Sequence, residues 1–325
     1  MAKLVVVFGG SGFLGKYVVR ALCKAGMRVR VAMRRPHLGH ELRVMGDVGQ
    51  VQLFQANVRN APSVARALEG ADAIVNLVGI LSEKGKQKFD DVIFEGAKNI
   101  AEAAKAAGID IMVQLSAIGA DAQSKSKYAQ AKAKAEQTVK QILPSATILR
   151  PSVIFGVEDG FFNRFAEISR FAPFMPLIGG GATKFQPVFA ADVAKAIMVA
   201  LTSPNVAGKT YELGGPSIYS FEQILRYIAA ETARPRPMVK LPFGLMQFLG
   251  NITDAVFKIY PFAEPPFTGD QIELMRHDNI VASDALGFPD LGINGLSTVE
   301  AIVPSYLYRY RPHGQFEART ALKRA

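Results

Sequence analysis

Residues 3–8 form an apolar run that closes on glycines, the pattern of a strand buried on both faces of a parallel sheet. Residues 12–25 then repeat apolar positions at helical spacing and stop at Gly26. The alternation continues along the first half of the chain. Strands are predicted at 28–33, 51–54, 73–77, 111–115 and 146–149, and helices at about 89–107 and 126–143. Strand following helix in this way predicts an α/β fold with a doubly wound parallel sheet.

After Pro151 the texture changes. Residues 161–176 are rich in Phe and Pro, and Gly179, Gly180 and Gly181 read as a flexible loop. Residues 192–201 look helical, with Asp192 as the N-cap. Residues 209–213 read as one more strand returning to the sheet. Beyond Pro216 the pattern is helical and loop-rich. Arg234, Pro235, Arg236 and Pro237 predict an extended linker, because each proline pushes its predecessor out of the α region. Residues 241–258 form an amphipathic helix with a strongly apolar face. Residues 307–325 read as a basic, poorly ordered tail. The expected division is a nucleotide-binding domain over 1–155, rejoined by 184–215. A smaller, mostly helical C-terminal domain takes 156–183 and 216–325.

Composition narrows the function classes. The chain has 325 residues, 49% of them hydrophobic and 20% charged, so it can bury a large core. The net charge of +10 fits either a soluble enzyme with a basic surface or an acidic partner. No aromatic-interleaved basic stretch or helix-turn-helix pattern points to nucleic acid. Cys23 is the only cysteine, lies in the first helix, and is expected as a small core residue. One thiol forms no internal disulfide, which suits a reducing compartment. The first strand leaves no room for a leader peptide, and no apolar run reaches the length that spans a bilayer. The expectation is a soluble or peripheral protein.

The candidate chemistry starts between the first strand and the first helix. Gly9, Gly10, Ser11, Gly12, Phe13, Leu14 and Gly15 satisfy G-x-G-x-x-G in its strand–turn–helix context. Glycines there allow a tight turn and close approach to a pyrophosphate, and the helix N-terminus adds free N–H groups and partial positive charge. NAD sites place a carboxylate about 20 residues further on, at the end of the second strand, to bond the ribose 2′-OH. Residues 1–40 contain no carboxylate, and the second strand ends in Met33, Arg34 and Arg35. A guanidinium can pair with a 2′-phosphate through two charge-assisted bonds, and Ser11 is placed to add a hydroxyl. The pattern favours NADP(H) over NAD(H); the alternative leaves Arg34 and Arg35 as solvated surface charges.

Tyr128 and Lys132 form a Tyr-x-x-x-Lys spacing on a predicted helix. Residues four apart share a face, and a nearby cation favours phenolate. Such a tyrosine can move a proton at a carbonyl or alcohol while a nicotinamide moves hydride. Ser116, at the end of the fifth strand, can polarise the substrate oxygen. The plainer alternative is a chance spacing on a solvated Ala/Lys-rich helix. His37, His40, His277 and His313 make no ligand set, so no metal site is expected.

Together these features resemble the extended branch of the short-chain dehydrogenase/reductase superfamily, with its Rossmann-type fold. The glycine turn, Asn76 to Gly79, Ser116, Tyr128 and Lys132 carry the resemblance, with Arg150-Pro151-Ser152, Phe155-Gly156, Phe185-Gln186-Pro187-Val188 and Asp192-Val193. It covers about residues 3 to 230. It implies that Asn57, Val78 and Gly79, and the Pro151, Ser152 and Val153 backbone, line the cofactor. Asn57 stands where many relatives have Asp, and Phe155 replaces a Tyr. The loop from Leu42 to Gln50, with the stretches 124–132 and 154–165, looks more specifically like the NADPH-binding accessory-subunit family of respiratory complex I, in its bacterial form. That likeness implies a tightly held NADPH/NADP without established turnover. It also implies other complex I subunits of the peripheral arm as partners, and a place at the cytoplasmic face of the bacterial inner membrane. Peripheral contact with anionic membrane is a further expectation. The competing class is an active NADPH-dependent reductase acting on a small carbonyl or quinone-related substrate, with Ser116, Tyr128 and Lys132 as its catalytic set.

Overall fold

The structure is a computed structural model that describes residues 3–259 and 267–316. The chain divides into two compact units. The first comprises residues 1–151, 191–213 and 282–294; the second comprises 152–190, 214–281 and 295–325. These bounds correct the expected division. Residues 152–155, 184–190 and 214–215 belong to the second unit, and 282–294 join the first.

The first unit is built on seven parallel strands: β1 (Leu4–Phe8), β2 (Arg28–Met33), β3 (Val51–Gln55), β4 (Ala73–Asn76), β5 (Met112–Leu115), β6 (Thr147–Pro151) and β7 (Thr210–Leu213). Their spatial order is β7-β6-β5-β4-β1-β2-β3. The direction of progression reverses at β1, and open parallel sheets bind ligands outside the strand C-termini at such a point. Helices α1 (Phe13–Lys24), α2 (Ala61–Leu68), α3 (Glu95–Ala106), α4 (Lys127–Ile142) and α5 (Ala190–Thr202) accompany the strands. Every residue of β1 is buried, so successive side chains serve opposite faces. Val6 and Phe8 join a cluster with Val64, Ile100 and Val139 from α2, α3 and α4. A Cβ on Gly10 would meet Val7, Val31 and Val19, which puts α1 against the other face. Cys23 is buried there, and burial raises its thiol pKa.

Several local expectations need correction. The predicted 89–107 helix opens with a π-helical turn over Asp90–Phe94 before α3 begins. Helix α2 follows Asn60, whose side chain caps Ser63 N–H, and had no predicted counterpart. Asp192 does not stand at the N-cap position, because α5 begins two residues earlier; it lies in the first turn, where its carboxylate is buried and pairs with Lys195 at 2.7 Å. The expected returning strand is β7, paired with β6.

The second unit has an aromatic core. Phe155, Phe161, Phe162, Phe165, Phe185 and Phe221 stack edge-on or tilted, with centroids 5.2–6.2 Å apart. The Phe-rich stretch thus includes a helix, Phe162–Phe171, and a short strand, Met175–Ile178. Gly179, Gly180 and Gly181 are a tight turn with φ of 59°, 76° and 81°, not an irregular loop. The Arg-Pro-Arg-Pro segment is pinned: Arg234 donates to Tyr310 O at 2.8 Å and Arg236 to Ser169 O at 3.1 Å. The tail expectation also fails over its described part. Arg309 donates to Asn163 Oδ1 at 2.6 Å, and Arg311 pairs with Glu231 at 3.2 Å with both side chains 8% exposed. Residues 317–325, the rest of that tail, lie outside the described residues.

The amphipathic helix is Phe243–Ile259. Met246 is buried, and Gly250 packs so closely on Gly269 that a Cβ would come within 2.9 Å of its backbone. Leu245, Phe248, Leu249, Ile252 and Val256 are exposed. Their spacing (i, i+3, i+4, i+7, i+11) puts them on one face of the helix. Among the described residues no helix is long and apolar enough to cross a membrane.

Candidate functional site

The glycine turn leaves β1 at the reversal point of the sheet. Gly9 has φ +79°, and a Cβ there would lie 3.1 Å from Leu77 C. At Gly15 a Cβ would fall 2.5 Å from Gly10 C and Gly9 O, so α1 can approach the turn only without a side chain. Gly12 N–H donates to Gly9 O at 3.0 Å and closes the turn. Gly12 then begins α1 without any side-chain cap, and no acidic residue occupies the first helical turn. Backbone donors and the positive end of α1 form a cradle that fits a diphosphate. Ser11 is exposed beside it, Phe13 is half-buried and stacks edge-on against Tyr17, and Leu14 anchors the helix in the core.

Arg34 and Arg35 are both exposed immediately after β2. The Arg34 guanidinium is not merely solvated: Nη1 donates to Gln87 Oε1 at 2.9 Å. Asn57 follows β3 and shapes its own turn, accepting from Arg59 N–H through Oδ1 at 3.2 Å. At the end of β4, buried Asn76 donates to Gln114 Oε1 at 2.8 Å and accepts from Val78 N–H at 3.1 Å. That fixes Val78 and Gly79 alongside the glycine turn.

The catalytic-type residues gather at the ends of β5 and α4. Ser116 is 3% exposed, and its Oγ is buried without a hydrogen-bond partner. Lys132 is equally buried; Nζ donates to Leu115 O at 3.1 Å and lies 5.7 Å from the Tyr128 ring centroid. A Cβ on Gly79 would sit 3.7 Å from that Nζ, so the lysine also faces the turn after β4. Burial lowers the Lys132 pKa to about 8, against the pull of Glu136. Tyr128 stacks edge-on against Phe89 at 5.8 Å. An unsatisfied hydroxyl, a phenol and a partly desolvated ammonium are a donor set suited to a carbonyl oxygen and a ribose.

Pro151 ends β6 in the first unit, where its carbonyl accepts from Ile118 N–H at 3.0 Å. Ser152 and Val153 belong to the second unit and are engaged there by Asn279. Ser152 Oγ lies 2.7 Å from Asn279 Oδ1, and Val153 N–H donates to that same oxygen at 3.1 Å.

Sequence reasoning missed a network one layer behind Lys132. Arg150 on β6 grips Glu136 on α4 through Nε at 2.9 Å and Nη2 at 2.6 Å, and reaches Glu212 on β7 at 3.5 Å. The i, i+4 relation of Lys132 and Glu136 was visible; the strand partners were not. Gln87 and Arg59 were also missed, because their contacts cross from one loop to another.

Residues 5–214 match the NAD dependent epimerase/dehydratase family. Among curated relatives, "NADH dehydrogenase [ubiquinone] 1 alpha subcomplex subunit 9, mitochondrial" of Arabidopsis thaliana is 38% identical over 89% of this chain and 74% of its own length. The mouse protein of the same name is 34% identical over 94% and 81%. Among solved structures, the dTDP-glucose 4,6-dehydratase DesIV of Streptomyces venezuelae, with NAD and TYD bound, superposes with a TM-score of 0.71. It is 18% identical and covers 94% of this chain and 96% of its own, which shows a shared fold. The parallel sheet, the glycine turn at its reversal point and these similarities give one conclusion: this chain belongs to the NAD dependent epimerase/dehydratase family, and within it to the family of the complex I alpha subcomplex subunit 9 proteins.

Proposed function

We propose that the chain is an NADP(H)-holding accessory subunit of respiratory complex I, in which the nucleotide acts as a structural ligand and not as a consumed cosubstrate. The observation that carries this reading is the end of β2. Exposed Arg34 and Arg35 stand there, where an NAD-selective site has a carboxylate. The relatives that share most of the chain are named as complex I subunits, which supports the partner assignment. The apolar face of the Phe243–Ile259 helix supports docking on other subunits of the peripheral arm, at the cytoplasmic face of a bacterial inner membrane. Such a nucleotide stabilises the folded subunit by linkage, increasingly so as its free concentration exceeds its dissociation constant.

Two measurements test the reading. Native purification, with mass spectrometry of bound nucleotide and partners, should return NADPH or NADP together with complex I subunits. Arg34→Ala with Arg35→Ala should weaken NADPH by about tenfold or more and NADH little, since a bidentate phosphate contact is lost. Equal losses for both nucleotides would remove the NADP(H) assignment.

A second reading, an NADPH-dependent reductase of a small carbonyl or quinone-related compound, is favoured by the unpartnered Ser116 Oγ. A bound nicotinamide would supply hydride. Ser116 would hold the substrate oxygen, Tyr128 would exchange its proton, and Lys132 would favour the phenolate. Tyr128→Phe separates the two: loss of a reductase reaction with intact complex I assembly supports the enzyme, and no such reaction supports the subunit.

A further inference from the structure

Residues 84–88 leave the β4 side of the sheet, yet they are tied to the far side. Lys84 and Gln87 exchange backbone hydrogen bonds at 3.1 and 2.9 Å, which makes a tight turn of the segment. Gln87 Oε1 accepts from Arg34, just past β2, and Lys86 O accepts from Arg59 Nη1, just past β3, at 2.6 Å. The strand order is β4-β1-β2-β3, so a segment anchored after β4 and bonded beyond β2 and β3 must pass the end of β1, where the glycine turn begins. It is a strap across the crevice. The strap is cationic: Lys84 and Lys86 are exposed, and its neighbouring carboxylate, Glu83, is turned back on Phe89 N–H at 3.0 Å and Lys88 at 3.5 Å.

We infer that the Lys84–Lys88 strap is part of the nucleotide site, with Gln87 as the positioning residue that aims Arg34 at a phosphomonoester on the adenosine ribose. This rests on the NADP(H) reading and deepens it. A guanidinium has five donors, and Gln87 occupies only one nitrogen, leaving the other edge free for two parallel bonds to phosphate. Lys84 and Lys86, exposed on the strap, add positive charge to the same segment. Release of a 2′-phosphorylated nucleotide then requires the strap to let go of Arg34 and Arg59, so exchange is slow. A nucleotide without the phosphate lacks this hold.

The test uses the full-length purified chain and follows NADPH and NADH separately, by equilibrium titration and by stopped-flow release of the fluorescent nucleotide. Gln87→Glu is the discriminating variant. It keeps the acceptor for Arg34, so a purely structural Gln87 would tolerate it, but its charge neutralises the guanidinium and repels phosphate. NADPH affinity should fall by about tenfold or more, with NADH within about twofold. Gln87→Ala with Arg59→Ala should speed NADPH release about tenfold by cutting both tethers. Lys84→Ala with Lys86→Ala, at exposed positions, should flatten the salt dependence of NADPH binding and leave the melting temperature unchanged. Variants that keep wild-type NADPH release and NADPH-to-NADH preference overturn the strap while leaving NADP(H) binding intact. A wild-type chain that binds NADH as well as NADPH overturns the NADP(H) reading and the strap with it.

Discussion

Lys132 has an environment that its sequence context does not announce. Its helix is rich in Ala and Lys, and Lys127 and Lys134 on the same helix are alike in type, but Lys132 is buried where α4 packs against β5. Burial lowers its pKa from 10.5 to about 8. Below pH 8 the lysine is charged in both the folded and unfolded chains, and the folded state bears the desolvation cost. Between about 8 and 10.5 the folded chain has released a proton that the unfolded chain retains. Stability therefore rises with pH across that window and the gain levels off above it, reaching roughly 3 kcal/mol. Urea unfolding of nucleotide-free protein at several pH values, referenced to Lys132→Met, should show this rise. A flat difference would mean that Lys132 is not desolvated. The catalytic-type residues were legible one by one, from type and spacing. That Ser116 Oγ has no partner, and that Lys132 donates to Leu115 O, were not, because both facts depend on what the neighbouring strands leave open.

At the scale of elements, the strands and helices of the first unit were legible because each is locally consistent: apolar runs for strands buried on both faces, helical spacing ended by glycine. The errors fall where one element's ends are set by another. Strand β6 runs through Pro151, because proline still offers a carbonyl and Ile118 N–H takes it. Helix α5 starts before Asp192, whose carboxylate is buried and paired with Lys195. Arg150 binds three elements into one block by holding Glu136 and Glu212, the former 9% exposed at its side chain. Arg150→Met strands a buried carboxylate and should cost about 3 kcal/mol, whereas Arg150→Met with Glu136→Met should recover most of it. Chemical denaturation of both variants checks the pair. A single variant within about 0.5 kcal/mol of wild type would show the network to be a spectator.

For the whole molecule, the two units carry different kinds of information. The first holds the glycine turn, the arginines and the Ser116, Tyr128 and Lys132 group. The second holds the aromatic core and the exposed stripe from Leu245 to Val256. Phe248→Ser with Ile252→Ser removes apolar surface that the isolated chain leaves in water, so the fold and nucleotide content should stay as in wild type. Association with complex I should be lost, as read by co-migration on native gels. Retained association would move the docking surface elsewhere; loss of bound nucleotide as well would indicate a folding defect instead.

The strand–turn–helix around the glycines, the alternating α/β plan and the missing carboxylate after β2 could all be read along the chain, because each depends on residues close together in it. The order of the strands, the burial of Lys132, the ordered place of Arg309 and Arg311, and the partner of Arg34 53 residues away emerge only once the chain has folded. These depend on which segments meet across the sheet or in the second core. Loop contacts of that kind leave no periodicity in the sequence, since a glutamine that aims a guanidinium looks like any surface glutamine until the chain has folded.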